Sequence, residues 1–377
     1  MSIRVGVIGV GHIGSAHARA IFEGKADTLT LVAVCDVSKK RRDWARENLP
    51  GVEIYDTSDE LFAKAQLDAV IIATPHYFHP PLAIAAFEQG LHVLTEKPAG
   101  VSVTQVQLMT EAAKKSGKRF GIMWNQRTAP LYRRVREIVK SGALGDRRRL
   151  IWDATAWYRT QEYYDSGAWR ATWNGEGGGV LMNQAPHQLD LLQWIFGMPE
   201  YVTATCREGK YHNIEVEDEA TLMFRYDNGD LALFTTSTGR NPGINRLEIS
   251  GSLGKIIAVP SELEFIPAAG NDAPAFKETF NNPEAEHVEG HIGILRDFAH
   301  AIETGAPLIA EGSEGINELE LCNAAYLSSW KNEPIYLPVD GEEFDRLLAQ
   351  KRAHSRKKAE SDGGGDGEYK KKWSENS

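Results

Sequence analysis

Cysteine is scarce in this chain of 377 residues. There are three, at positions 35, 206 and 322, an odd number, widely spaced and without a Cys-x-x-Cys pair. That excludes a disulfide framework and points to a reducing, cytoplasmic setting. Positive charge is also in deficit: 42 Lys and Arg against 52 Asp and Glu leave a net charge of −10. Nucleic acid and anionic membrane surfaces are therefore poor candidates for the main partner, although a small anion in a locally basic pocket is not excluded. No apolar run is long enough to span a bilayer. Met1-Ser2-Ile3-Arg4-Val5 enters a strand pattern at once, and no signal peptide is expected. There is no internal repeat. What remains is ordinary globular composition, 42% hydrophobic and 25% charged, in a chain long enough for two domains.

Against that background one stretch near the start is specific. Arg4–Gly9 is a β-branched apolar run of strand length, and a helical pattern through Ala16, Ala18, Ala20 and Ile21 follows it. Between them lies Gly9-Val10-Gly11-His12-Ile13-Gly14. A Gly-x-Gly-x-x-Gly loop between strand and helix binds a dinucleotide. The first glycine makes the tight turn, the second lets backbone approach the pyrophosphate, and the third lets helix pack on strand. The helix N-terminus then faces the phosphate charge. A second strand, Leu29–Asp36, ends in a carboxylate 22 residues after Gly14. Asp36 there accepts the ribose hydroxyls and repels a 2′-phosphate, so NAD is the first expectation. Lys39, Lys40, Arg41 and Arg42 follow closely and soften the choice toward NADP.

Strands and helices go on alternating. Ala69–Ala73, His92–Thr95 and Arg119–Met123 read as buried strands, and Pro80–Gln89 and Val103–Ser116 as helices. This rhythm predicts an α/β Rossmann domain with a doubly wound parallel sheet over residues 1–123. Such sheets bind ligands beyond the carboxyl ends of their strands. Thr74, Pro75, His76, Glu96 and Lys97 fall there. His76-x-x-His79 has no cysteine near it and is followed by two prolines, so a helix entry or cofactor contact is expected rather than a metal site. Taken alone, Glu96-Lys97-Pro98 reads as a strand end with a solvated ion pair and a turn proline.

After Met123 the pattern changes. Trp124-Asn125-Gln126-Arg127 leads to a helix over Pro130–Ser141. Six β-type runs are then expected, at Arg149–Tyr158, Tyr201–Glu208, Glu217–Tyr226, Leu231–Thr238, Arg246–Gly251 and Lys255–Val259. Asn228-Gly229 and Gly251–Gly254 are hairpin turns. The expectation is an α+β domain over 124–352 with a mainly antiparallel, open sheet. Its uncovered face suits a homodimer or homotetramer. A Ser-, Lys-, Glu- and Gly-rich tail over 353–377 is expected to be flexible.

Two stretches of this second domain carry chemistry. Trp157, Tyr158, Tyr163, Tyr164, Trp169 and Trp173 fall within seventeen residues, with Arg159 and Arg170 among them. Aromatic faces stack on sugar C–H groups while arginine binds hydroxyls; an aromatic core or subunit interface is the other reading. Further on, Gly177-Gly178-Gly179 opens a helical stripe closed by Gly197. Asn183 and His187, four apart, share a face if one regular helix begins near Asn183, which would tolerate Pro186. The pair then either faces ligand or is a helix N-cap and a satisfied helix histidine. His287-x-x-x-His291, with Glu286 and Glu289, has ligand spacing, but Gly290 weakens a helix there, and no metal is expected.

At this point the chain resembles the Gfo/Idh/MocA oxidoreductases, named for glucose–fructose oxidoreductase and inositol dehydrogenase. The resemblance runs to about Arg352. It rests on Gly9-x-Gly11-x-x-Gly14, Ala73-Thr74-Pro75, Glu96-Lys97-Pro98, and Gly177-Gly178-Gly179 leading to Asn183-x-x-x-His187. It implies NAD or NADP held by Gly9, Gly11, His12, Ile13, Gly14, Asp36, Thr74, Pro75, His76, His79, Glu96, Lys97 and Asn125. It implies that Lys97 and His187 flank the reacting carbon. Many members have aspartate where this chain has Asn183, and an amide cannot relay a proton. Hydrogen-bonding to substrate or Lys97 stays open to it. The substrate implied is a sugar, sugar glycoside or cyclic polyol, with Arg127, Tyr164, Trp169 and Arg170 as contacts beside Lys97, Asn183 and His187. Histidine is the preferred base because its ordinary pKa is near neutrality, with Lys97 holding the developing alkoxide, and the two roles can swap. The rival readings are an NAD-dependent glycosidase working through transient sugar oxidation, and a non-catalytic NAD-binding sensor.

Overall fold

The structure is a computed structural model that describes residues 2–280 and 283–356, without the side chains of 283–289. It divides into two compact units. The first comprises Met1–Thr128 and His287–Ile316, the second Ala129–Glu286 and Asn317 onward.

In the first unit the chain runs β1 (Ile3–Ile8), α1 (His12–Phe22), β2 (Leu29–Cys35), α2 (Lys39–Asn48), β3 (Glu53–Tyr55), α3 (Ser58–Lys64), β4 (Ala69–Ile72), α4 (His79–Glu88), β5 (His92–Thr95), α5 (Val103–Ser116) and β6 (Phe120–Ile122). The strands form one sheet in the order β3-β2-β1-β4-β5-β6, every pair parallel. β4 is buried throughout and β1 nearly so, as strands of an enclosed parallel sheet must be. The strand order reverses between β1 and β4, and the loops that follow these two strands meet. Gly9 lies at φ +86°, and a Cβ there would stand 2.7 Å from the carbonyl oxygen of Ala73. The doubly wound sheet read from the sequence is therefore present, together with β3, which is too short to stand out as a run.

The second unit begins with α6 (Pro130–Lys140), β7 (Arg147–Ala154), α7 (Gln161–Asp165), α8 (Val180–Asn183) and α9 (Pro186–Phe196). It continues through β8 (Tyr201–Glu208), β9 (Glu217–Arg225), β10 (Leu231–Ser237), β11 (Asn245–Gly251), β12 (Gly254–Val259), β13 (Glu262–Pro267) and β14 (Phe276–Thr279). With β15 (Ile335–Tyr336) these strands build a nine-stranded sheet, β14-β13-β12-β11-β7-β10-β9-β8-β15. It is antiparallel except where β7 meets β10. Burial alternates along β10 and β12, so one face packs on the core and the other is only half covered. The long helices α10 (Pro283–Thr304) and α11 (Gly315–Lys331), and α12 (Gly341–Ala353), complete the chain.

Three expectations need correction. The boundary at Met123 moves to Thr128, and residues 287–316 return to the first unit instead of belonging to 124–352. Side-chain bonds hold them there: Arg119 Nε donates to Ala301 O (3.2 Å), Arg127 Nη1 to Ile309 O (3.2 Å) and Arg296 Nε to Lys25 O (3.1 Å). Second, no single helix starts at Asn183. Asn183 ends the short α8, Ala185 is the N-cap of α9, and Pro186 takes its first position, where no N–H is needed. Third, α10 runs through Gly290, which is required for packing: a Cβ there would lie 2.9 Å from Asn125 O. Of the expected tail, residues 353–356 are anchored, with Arg356 N–H donating to Glu215 (2.6 Å), and the remainder lies outside the described residues.

Candidate active site

Each glycine of the first loop has a distinct surrounding. A Cβ on Gly14 would stand 1.9 Å from Gly9 O, so α1 packs on the β1 turn as closely as backbone allows. Around Gly11 a Cβ would meet nothing within 4 Å. Gly11 is also the N-cap of α1, whose first-turn N–H groups need an acceptor. Asp36 is fixed at the end of β2. Val10 N–H donates to one carboxylate oxygen (2.9 Å) and Ser38 N–H to the other (2.8 Å), and each oxygen has a further lone pair for a hydroxyl. Arg42 is committed elsewhere: Nη1 donates to Asp36 O (2.8 Å) and Val37 O (2.9 Å), and Nε pairs with Asp56 (2.9 Å). Lys39 pairs with Asp43 at 2.6 Å. These residues fit a dinucleotide, and the engaged Arg42 reduces the pull toward a 2′-phosphate.

Lys97 is the second residue beyond the end of β5 and is half-buried. Its backbone is braced from two sides. Its N–H donates to Glu96 Oε2 (3.2 Å), and the carbonyl oxygen of the cis-linked Pro98 beside it lies 2.8 Å from His79 Nδ1. His79 Nε2 lies 2.7 Å from Thr74 O, and a neutral ring has one N–H to give to this pair of carbonyls. His79 is fully enclosed, and burial pushes its pKa below the ordinary histidine range against the pull of the two carbonyls. A direct cofactor contact through this side chain is therefore dropped: it ties the β4 and β5 loops together. Glu96 is likewise inside. His17 Nε2 donates to its Oε1 at 2.7 Å, and His291, whose ring centroid is 5.6 Å from that of His17, meets Asn125 Nδ2 at 3.3 Å. Burial opposes charge on Glu96. The His17 bond and the charges of His17, His291 and Lys97 outweigh it and bring the pKa down to about 2. Arg127 is 1% exposed, paired with Glu314 and bonded to Ile309 O, so it supports the fold and is withdrawn as a substrate contact.

In the second unit Asn183 is half-buried and donates through Nδ2 to Glu176 Oε1. His187 lies in the first turn of α9. The glycine run ahead of them is there for close packing. A Cβ on Gly179 would stand 1.9 Å from Glu217 O, and one on Gly178 2.1 Å from Tyr326 Oη. Glu217 caps α8 by accepting from Gly179 N–H and Leu181 N–H, both 2.9 Å, and takes the Tyr326 hydroxyl at 2.8 Å. Burial lifts its pKa to about 8 against those donors.

The aromatic segment divides. Tyr164 is 2% exposed and its hydroxyl donates to Thr238 Oγ1 (2.6 Å), while Trp173 is buried against Tyr326 and Trp330. Tyr164 is therefore core and not a substrate contact. Trp169 and Arg170 remain half-exposed. The Arg170 guanidinium lies 4.6 Å from the Tyr163 ring centre and 4.7 Å from that of Trp169, and donates to Tyr163 Oη (2.8 Å).

Comparison with known proteins bears directly on this arrangement. Residues 3–123 match the family profile described as an oxidoreductase family with an NAD-binding Rossmann fold, and residues 132–257 match the C-terminal domain profile of the same family. The chain belongs to the Gfo/Idh/MocA oxidoreductases. An inositol 2-dehydrogenase of Rhizobium meliloti is 26% identical over 336 residues, covering 87% of this chain and 97% of that protein. A D-glucoside 3-dehydrogenase of Escherichia coli is 25% identical over 343 residues, covering 87% and 95%. Among solved structures, the WlbA dehydrogenase of Bordetella pertussis in complex with NADH and UDP-GlcNAcA is similar at 27% identity. Its TM-score is 0.78, covering 90% of this chain and all of that one.

Within this Gfo/Idh/MocA chain, three residues escaped sequence reasoning: His17, Glu176 and the placement of His291. His17 carries a readable signal, since it lies three residues past Gly14 on the face of α1 that is buried. Glu176, one residue before the glycine run, has none. Among the described residues no group of three or more His, Cys, Asp or Glu is arranged to hold a metal ion. His287, Glu286 and Glu289 lie outside the described side chains. Among the described residues no helix is long and apolar enough to cross a membrane.

Proposed function

We propose that this chain is an NAD-dependent dehydrogenase, with NADP as the second choice, acting on a secondary alcohol or ketone of a sugar, sugar glycoside or cyclic polyol. The observation that carries the reading is the fit of the dinucleotide loop: Gly11 open, Gly9 and Gly14 closed, and Asp36 held by two backbone N–H groups in the same unit as a braced Lys97. The substrate class comes from the inositol and glucoside dehydrogenases to which the chain is similar.

Nicotinamide supplies the hydride acceptor for alcohol oxidation. The protein must then remove the hydroxyl proton and hold the oxygen. His187 takes the proton, and Lys97, as a cation, binds the oxygen and stabilises developing alkoxide. Trp169 and Arg170 offer an apolar face and a hydroxyl-binding guanidinium to the sugar ring. Asn183 hydrogen-bonds the substrate. The half-covered sheet face of the second unit is the surface for a homodimer or homotetramer. The three free thiols suit a reducing cytoplasm.

The test is a panel of aldoses, polyols and glycosides offered with NAD and with NADP, following NADH absorbance. The expected result is substrate-dependent NADH formation, with NAD favoured about tenfold or more. NADH binding without turnover on any substrate makes the chain a sensor, and release of aglycone without net NADH makes it a glycosidase; either overturns the proposal.

A further inference from the structure

Glu176 has no part in the chemistry assigned so far, yet it is 2% exposed and built into the loop that carries Trp169 and Arg170. Ala171, at φ +51°, donates its N–H to Glu176 Oε2 (2.5 Å). Glu176 N–H in turn donates to Thr172 O (2.9 Å), and Gly177 N–H to the same oxygen (3.2 Å). The loop closes so tightly that a Cβ on Gly175 would stand 2.4 Å from Trp169 O. From inside this turn the other carboxylate oxygen, Oε1, reaches the last residue of α8 and accepts from Asn183 Nδ2.

We propose that Glu176 and Asn183 form a carboxylate–amide pair that decides which end of the Asn183 amide meets substrate. Glu176 is then a positioning residue, and Asn183 a hydrogen-bond acceptor toward a substrate hydroxyl. This rests on the assignment of Asn183 to the substrate site made above. The reasoning is one of polarity. Both Glu176 oxygens accept, Oε2 from Ala171 N–H and Oε1 from Asn183 Nδ2, so the amide turns its NH2 toward Glu176 and the carbonyl Oδ1 occupies the opposite end. An amide alone has no such preference, because its two ends are nearly equal in size. The buried, doubly accepting carboxylate thus converts an ambidextrous side chain into one of fixed sense. It also links that sense to the turn bearing Trp169 and Arg170. Tyr164 lies close enough to feel the Glu176 carboxylate, and its hydroxyl donates to Thr238 Oγ1 (2.6 Å).

Isosteric exchanges separate this role from simple packing. In Glu176→Gln the new carbonyl is committed to Ala171 N–H, so its NH2 faces Asn183. Asn183 must rotate and present NH2 to substrate. In Asn183→Asp two carboxylates confront each other and share a proton, which holds only at low pH. In the double variant Glu176→Gln/Asn183→Asp, the introduced glutamine keeps the Ala171 bond and donates its NH2 to the introduced carboxylate. A single charge is restored, with an acceptor toward substrate.

Steady-state kinetics and thermal melting across pH test the set. For Glu176→Gln, KM should rise about tenfold with a smaller change in kcat. For Asn183→Asp, kcat/KM should fall about 100-fold near pH 9 and recover toward pH 6, with a melting temperature that drops over the same interval. The double variant should return to within about tenfold of the native enzyme and lose the added pH dependence in both readouts. The proposal is overturned if Asn183→Asp and the double variant behave alike, or if Asn183→Asp melts with the native pH profile. It is also overturned if melting follows the pattern while KM and kcat stay native, since position 183 then does not meet substrate. Should the native enzyme oxidise no sugar or polyol, the dehydrogenase reading falls, and the melting comparison still decides whether the pair exists.

Discussion

Replacing Glu96 by Gln should expose how much the first unit owes to one buried charge. Glu96 is 6% exposed, and its pKa lies near 2 instead of the ordinary 4.5. Burial works against that charge. The His17 hydrogen bond, followed by the charges of His17, His291 and Lys97, more than offsets it. The gap between 2 and 4.5 corresponds to about 3 kcal/mol of stability. Because the folded pKa is depressed, this contribution is fully present above the unfolded value of about 4.5 and disappears as pH falls toward 2. Gln keeps the shape and removes the charge. The variant should therefore melt about 6–12 °C below the native protein at neutral pH, taking the usual conversion for a unit of this size. The difference should narrow progressively from about pH 5 downward. Thermal unfolding followed by circular dichroism at a series of pH values reads this directly. A melting difference that stays constant from neutral pH to pH 3, or that never exceeds about 2 °C, would refute the electrostatic account of the His17–Glu96 pair.

The glycine loop gives a paired expectation. Gly11→Ala should melt within about 1 °C of native, since a Cβ there meets nothing, yet bind NADH at least tenfold more weakly. Gly14→Ala should lose both stability and binding, because its Cβ would strike Gly9 O. Native NADH affinity in Gly11→Ala would remove the cofactor from this loop. Lys97→Ala should lower kcat/KM about 100- to 1,000-fold while leaving NADH affinity within about threefold, measured by fluorescence titration; unchanged turnover sinks the mechanism. Asp36→Ala should weaken NAD and narrow the NAD-to-NADP ratio in kcat/KM, and intact NAD affinity would show that the ribose hydroxyls are read elsewhere.

What the sequence disclosed follows from how local each signal is. The dinucleotide loop, Asp36 and the strand ends were legible because strand, turn glycines and helix are contiguous, and their physics is decided within a few residues. The Asn228-Gly229 hairpin between β9 and β10 was legible for the same reason. The break between α8 and α9 was not. Pro186 permits either a kink or a new start, and the choice depends on Glu217 capping Gly179 and Leu181 from a distant strand. Arg127 and Tyr164 looked like ligand contacts because their residue types suit sugars. Only their partners, Glu314 and Thr238, reveal that they are spent inside the fold. His291 was visible as a histidine, but its company with Asn125 and His17 spans more than 160 residues of chain.

The return of residues 287–316 has a consequence for how the protein is made. Seen from the first unit, everything from 129 to 286 is an insertion. The bonds that close the unit join residues 182 positions apart, as between Arg119 and Ala301 or Arg127 and Ile309. At ordinary ribosomal speeds the N-terminal piece waits roughly 10–30 s for its last segment to emerge. Until then Glu96 and His17 lack the helix that brings His291 beside them. A gene fragment ending at Thr128 is thus an unfinished module, and a transplantable cofactor domain needs both pieces stitched together.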